Sequence, residues 1–396
     1  MRILFLHEVN YLKKLVFEMH EFPEYLAGKG HDIGFVQFPE GESKEELSRI
    51  PFKQRIHGRV AKDSRITLYT PETRSTSTLG RIKSAVTFNH VFRKIVEDFN
   101  PDVIVSFSVP TSGWQALRVC RKSNIPYLFR ALDVSHKIRR SLFSPLILSA
   151  EKYIYSKADW VSTNNPAMAN YCISLGARPE LVSVNLPPLN LSHFSNASLS
   201  RDEMRNQLGI PLNARVIVYM GSFFYFSGLP QLVKDFAKRR KSNSYLLLIG
   251  GGEQDQELRS LVKDLDMEEK VLFTGFVSFQ ALPHYLGVAD IAVNPMQSSL
   301  VSNAAFPNKV IQYMASGLPV VSTRLSGLEL VFGKSKGLTF VADSSMVAAA
   351  AIGILDSDEV DTLGAGNLGL VSSSFSMDGA LSQFESVLLQ LGAHNA

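Results

Sequence analysis

A chain of 396 residues is longer than one ordinary hydrophobic core supports, so two domains are expected, and 45% hydrophobic with 20% charged residues excludes a disordered or fibrous protein. Two cysteines, Cys120 and Cys172, exclude a disulfide framework and match no metal-ligand spacing, while the lack of any run of about 18 apolar residues excludes a bilayer-spanning helix. The net charge of +4 is uneven: residues 1–194 carry 26 Lys/Arg against 18 Asp/Glu and residues 195–396 carry 15 against 19, so the basic first half suits an anionic membrane, nucleic acid or phosphorylated substrates, or is simply a solvated surface.

In chain order, MRILFLHEVN has a short apolar core broken by His7 and Glu8. It reads as a first strand rather than a signal peptide, and with the thiol count it gives the cytoplasm as the expected compartment. LVFEMHEFPEYLAGKG, closed by Gly30, and then DIGFVQF complete a strand-helix-strand unit. PDVIVSF, IPYLFRAL, DWVSTN and LVSVNL follow as short strands between helical segments 81–98, 112–123 and 141–157, an alternation that predicts a parallel sheet covered on both faces. Within it, HKIRRSLFSPLILSAEKYIYSK (136–157) mixes cations with leucine, isoleucine and aromatic residues, and reads either as a helix covering the sheet or as one lying on an anionic bilayer. The proline- and serine-rich LPPLNLSHFSNASLS (186–200) reads as a linker; its NLS and NAS triplets would be glycosylation sequons only in a secreted protein.

The second half repeats the architecture without repeating the sequence. RVIVYMG, a helix over 229–240, SYLLLIGGG, a helix over 254–266, KVLFTGF, a helix over 279–287 and DIAVNP lead to FPNKVIQYMASGLPVV. Its strands end in glycine, proline or small polar residues, which let a ligand approach the backbone beyond the carboxyl ends of a parallel sheet. In FPNKVIQYMASGLPVV, Pro307 suits a first helical position and Gly317 an αL stop. Helical periodicity places Lys309, Gln312, Tyr313 and Ser316 on one face and Val310, Ile311 and Met314 on the other. A helix start with a lysine in its first turn suits phosphate oxygens. The expected domains are 1–190, a linker over 191–200, 201–375, and a closing helix over 376–396 that packs back toward the first domain.

Several of these pieces, in order, resemble the retaining nucleotide-sugar glycosyltransferases of the GT-B fold in glycosyltransferase family four. They are LIGGGEQDQELRSLVKDLDMEEKVLFTGFV, LPHYLGVADIAVNP and PNKVIQYMASGLPVV, with GLTFVADSS and the more generic FPEYLAGKGHDIGFV, PDVIVSF and ADWVSTNNPAMANYCISLGA. The resemblance implies an α/β fold of two Rossmann-like parallel-sheet domains facing across a cleft. It implies transfer of a sugar from a nucleotide-diphosphate donor to a glycan or lipid-linked acceptor, as in cell-surface polysaccharide synthesis, with no metal, no cofactor and no nucleic acid partner. An anionic membrane surface is the further expected partner.

The resemblance also assigns roles. Gln312 stands where the family usually has a glutamate that accepts hydrogen bonds from the ribose, and an amide keeps an acceptor oxygen there. Lys309, with Asn308 beside it, would compensate charge growing on the leaving diphosphate. Gly221, Ser222, Gly250, Gly251 and Gly252 would approach the donor through their backbone, and Gly275 and Phe276 would meet its base. Asp133 and His136, after PYLFRAL, would position the sugar or acceptor without attacking carbon; for Asp133 a helix cap is the competing reading. In the first domain HEVNYLKKL replaces the family's glycine-rich loop, placing His7, Glu8, Lys13 and Lys14 on the acceptor or phosphate side.

The departures are specific. The cations that the family places after the first strand of the second domain read Ser222 or Phe223, and Ser227; its second glutamate reads Ala304. They support one rival, a catalytically silent scaffold that binds a glycan or partner. A nicotinamide dehydrogenase is disfavoured, because FLHEVNYL lacks the G-x-G-x-x-G turn. Two D-x-D triplets, Asp264/Asp266 and Asp356/Asp358, lie on an amphipathic helix and in a polar loop and are not read as metal sites.

Overall fold

The computed structural model describes residues 1–14, 16–38, 49–71, 78–138, 142–195 and 199–393. Arg139 and Arg140 of the cationic stretch and the NAS triplet at 196–198 lie outside them. The chain divides into two compact units, Met1–Pro188 with Asp378–Ala396, and Leu189–Met377.

The first unit is built on an eight-stranded sheet: β1 (Arg2–Leu6), β2 (Asp32–Val36), β3 (Lys53–His57), β4 (Arg65–Tyr69), β5 (Val103–Ser106), β6 (Tyr127–Ala131), β7 (Trp160–Thr163) and β8 (Val182–Val184), in the order β3-β4-β2-β1-β5-β6-β7-β8. Strands β1, β5 and β6 are nearly or wholly apolar because helices cover both faces of a parallel sheet. The sheet is not parallel throughout. β3 pairs antiparallel with β4, Lys53 opposite Tyr69, and neither strand was anticipated. KQRIH alternates between exposed and half-buried positions, as an edge strand covered on one side does, and so lacks the apolar run that marks the central strands. The closing helix, Met377–Ala393, lies mostly in this unit: Phe384 stacks on Phe22 at 4.4 Å, and Glu385 pairs with Lys29 at 2.6 Å and His31 at 2.7 Å.

The second unit has six parallel strands: β9 (Arg215–Ser222), β10 (Ser244–Gly251), β11 (Val271–Gly275), β12 (Ile291–Asn294), β13 (Val320–Thr323) and β14 (Leu338–Val341), ordered β11-β10-β9-β12-β13-β14. Its core joins Ile217, Tyr219, Leu246, Leu248, Ile291 and Val293 of the sheet to Leu232, Phe236 and Ala351 of the flanking helices. Inside the stretch expected to be a linker, Leu191–Ser195 is a short helix, and the boundary between units falls before Leu189.

In both sheets the strand order reverses once, between β1 and β5 in the first and between β9 and β12 in the second. At such switch points the connections leave to opposite sides and open a crevice beyond the strand ends. Each unit therefore has one place where its topology favours a ligand.

Candidate functional site

At the switch point of the second unit, β9 runs apolar until Tyr219 and then ends in Gly221 and Ser222. Gly221 has φ 138°, and a Cβ there would stand 2.9 Å from the Lys309 Nζ, so the ammonium lies directly over bare backbone. Gly250 on the neighbouring strand has φ 126°, and a Cβ would collide with the Gly221 carbonyl oxygen. Gly250 and Gly251 are the last two residues of β10 rather than residues after it, and Gly252 follows. Gly275 closes β11, and Phe276, 62% exposed, lays its ring against Gly251 instead of entering the core.

Lys309 opens the helix Lys309–Ala315, with Asn308 as its N-cap residue. Its Nζ donates to the Tyr219 hydroxyl at 3.0 Å and sits 4.1 Å from the centroid of that ring. Tyr219 in turn donates to the Ser222 carbonyl at 3.1 Å. Among the described residues no carboxylate pairs with Lys309, and desolvation pushes its pKa down to about 7. The Asn308 Oδ1 beside it is buried and accepts no hydrogen bond among the described residues. Gln312, one turn on, is half-buried and its amide has no partner there either.

Tyr313, one turn after Lys309 and reaching the same end of β9, is fully buried, and its hydroxyl accepts the Met220 N–H at 2.6 Å. A long aromatic side chain at the margin of the polar face reaches β9 and closes its backbone bonding, which periodicity alone does not distinguish from a ligand contact. Tyr219 was missed; the signal was there, a tyrosine in an otherwise aliphatic strand. Phe223 is buried in the core, whereas Phe224 and Tyr225 are 39% and 49% exposed.

The switch point of the first unit is chemically the reverse. Glu8 Oε1 accepts the Thr111 N–H at 2.7 Å, the Ser112 N–H at 2.7 Å and the Ser112 hydroxyl at 2.9 Å, just before the helix Gly113–Ser123. Burial raises the Glu8 carboxyl and these bonds oppose the rise. Glu8 thus occupies amides at this helix start that an anion could otherwise use. His7 stacks on Phe107 with centroids 5.4 Å apart, and burial, with Lys14 and His20, lowers its pKa to about 3. Lys13 and Lys14 are exposed in a turn before the helix Glu18–Gly28.

Asp133 and His136 follow β6. Asp133 keeps its surface open to solvent, yet the protein around it raises its carboxyl to about 6, Glu18 adding to the rise and Lys14 opposing it. His136, in the short helix Ser135–Ile138, is buried, and its Nδ1 lies 2.6 Å from Glu151 Oε2. Glu151 and Tyr171 were not singled out in the sequence. Asp133, His136, His7 and Glu8 thus share the carboxyl-end rim of one sheet, and Lys309, Asn308, Gly221, Ser222, Gly250 and Gly251 share that of the other.

Among the described residues no group of three or more His, Cys, Asp or Glu could hold a metal ion. Of the D-x-D carboxylates, Asp264 ends a helix and Asp356 pairs with Lys241 at 2.7 Å.

The family described as "Glycosyl transferases group 1" matches residues 214–357, and "Glycosyltransferase Family 4" matches residues 19–193. A lipopolysaccharide core biosynthesis glycosyltransferase, LpsE of Rhizobium meliloti, is 30% identical over 173 residues, 44% of this chain and 46% of that protein. The matched stretches span between 46% and 61% of the length of the first four curated relatives. Among solved structures, sucrose-phosphate synthase from Thermosynechococcus elongatus superposes with a TM-score of 0.80 at 20% identity, covering 99% of both chains. Anabaena HepE in complex with UDP superposes with a TM-score of 0.73 at 17% identity, covering 98% of this chain and 100% of that one. The first half is thus similar in sequence to family four glycosyltransferases and the second half to group 1 glycosyl transferases, and the architecture over nearly the whole length is that of the GT-B fold.

Proposed function

We propose that the protein is a retaining, metal-independent family four glycosyltransferase that moves a sugar from a nucleotide-diphosphate donor to a glycan or lipid-linked acceptor in cell-surface polysaccharide synthesis. The observation that carries this reading is the Lys309 ammonium held over Gly221 with no carboxylate partner among the described residues, at the switch point of the second unit. A cation kept unpaired in a desolvated place is costly unless an anion joins it. A diphosphate supplies that anion, and the departing nucleotide needs the same charge. Gln312 and Phe276, unpartnered and exposed respectively, take the ribose and the base. HepE, solved with UDP, and LpsE, named for lipopolysaccharide synthesis, support the donor class and the pathway class.

Purified protein is expected to gain melting temperature with millimolar UDP or GDP, and to release free nucleotide from one of their sugars in the presence of acceptor. The rival silent scaffold is favoured by the sequence Ser222–Ser227, which offers no cation beyond β9. Donor hydrolysis or transfer, abolished in Lys309→Ala, would select the enzyme; no nucleotide binding at millimolar concentration would favour the silent scaffold, which binds a glycan or partner instead.

The acceptor side is read as peripheral to the inner face of a membrane. No helix among the described residues is long and apolar enough to cross one. Leu142 is 98% and Leu146 67% exposed at the start of the helix Ser144–Lys157, with Lys137 and Lys152 exposed nearby in sequence. Two leucines held in water beside cations suit the headgroup boundary of an anionic bilayer, each cation adding about 1 kcal/mol. The protein is expected to sediment with phosphatidylglycerol-rich vesicles and the Leu142→Ser/Leu146→Ser variant to partition about 10-fold less. Equal partitioning of the two would sink the membrane reading alone.

A further inference from the structure

Three groups converge beyond the carboxyl end of β6. Glu151, fully buried on the helix Ser144–Lys157, accepts the Ser135 N–H at 2.8 Å through Oε1. Its Oε2 lies 2.6 Å from His136 Nδ1 and accepts the Tyr171 hydroxyl at 3.2 Å, from the helix Pro166–Ser174. The same hydroxyl stands 3.2 Å from His136 Nδ1. An ionised Glu151 accepts and does not donate, so in the neutral ring the hydrogen belongs on Nδ1 and the lone pair on Nε2. Among the described residues nothing bonds that Nε2.

We propose that Glu151 and Tyr171 are positioning residues that hold His136 as its Nδ1–H tautomer, so that Nε2 accepts a hydrogen bond from a sugar hydroxyl. A cluster serving only to tie three helices together would be indifferent to the tautomer. This one fixes it from one side and leaves the opposite nitrogen unbonded, where an α/β sheet receives its ligands. Since an acceptor nitrogen cannot bond a hydrogen-less position, sugars lacking that hydroxyl are discriminated against. The inference rests on the glycosyltransferase reading for its ligand, though not for its tautomer.

Protein labelled with 15N-histidine reports the tautomer, the His136 signals being assigned by their loss in His136→Ala. The wild-type protein is expected to give the Nδ1–H pattern, with the Nε2 resonance moving on addition of UDP-glucose or GDP-mannose. Glu151→Gln, whose amide can donate, is expected to shift the ring toward Nε2–H and to lower kcat for the accepted donor by about 10- to 100-fold with KM unchanged. Tyr171→Phe, which keeps the carboxylate, is expected to retain the tautomer and lose less. An Nε2–H ring in the wild-type protein overturns the proposal, as does a Glu151→Gln variant that melts like wild type and turns over at the wild-type rate. Absence of turnover by the wild-type protein sinks the enzyme reading instead, and the tautomer still decides whether Glu151 sets the ring.

Discussion

Replacing Lys309 with alanine is expected to weaken UDP or GDP binding by about 10- to 150-fold, the worth of a charge-assisted hydrogen bond of about 1.5–3 kcal/mol. The free protein should not lose stability with it. Among the described residues Lys309 bonds only a tyrosine hydroxyl and no carboxylate is orphaned by its removal, and its charge is desolvated. The same residue predicts a pH dependence. Its folded pKa is about 7 against an ordinary 10.5, so between those values the unfolded chain binds the extra proton and the stability of the free protein rises with pH. A bound diphosphate favours the ammonium, so binding takes up a proton above about pH 7. Affinity should therefore be flat below that pH and fall by up to about tenfold per unit above it, a slope that Lys309→Ala abolishes. Isothermal titration calorimetry across pH 6 to 9 measures both effects, and a variant that binds UDP and GDP as tightly as wild type would remove Lys309 from the site.

The second large effect is one of stability. Arg130→Met is expected to cost about 3–5 kcal/mol, the penalty for leaving a buried charge without its partner. Arg130 is completely buried in β6 and donates to Glu18 at 2.9 Å through Nε, with a further close bond from its terminal nitrogen. It also donates to the Ser162 hydroxyl, the Thr163 carbonyl and the Asn185 carbonyl, each at 2.8 Å. One guanidinium thus joins β6, β7, the chain after β8 and the first turn of the helix Glu18–Gly28. Burial raises the Glu18 carboxyl and Arg130 holds it down, so losing the arginine strands an acid in the core. Urea unfolding of the full chain measures the loss. Adding Glu18→Gln should recover part of it, and a loss below about 1 kcal/mol would mean that the core relaxes around the gap.

These two residues mark what sequence could and could not reveal. Lys309 was legible because its surroundings are local: a proline before it, a glycine after it and a strand immediately following make the helix start readable within twelve residues. The central strands were legible for the same reason, as apolar runs that no solvated segment would carry. Arg130 and Glu18 are 112 residues apart, and an arginine in a strand gives no sign of whether water or a carboxylate receives it. The β3–β4 edge was lost because polar alternation there imitates a loop. The bonds of Glu8 were not legible because its partners, Thr111 and Ser112, are brought to it only by the pairing of β1 with β5. The Glu151 contact to His136 likewise exists only once separate helices pack.

The carboxylate lodged against Thr111 and Ser112 has a consequence for occupancy. A ligand that is part of the chain never dissociates and cannot be competed away by micromolar metabolites. One lobe of this fold holds a carboxylate of its own at that helix start, whereas among the described residues none stands against Lys309 in the other. Two lobes of like topology therefore do not imply two equivalents of nucleotide per chain.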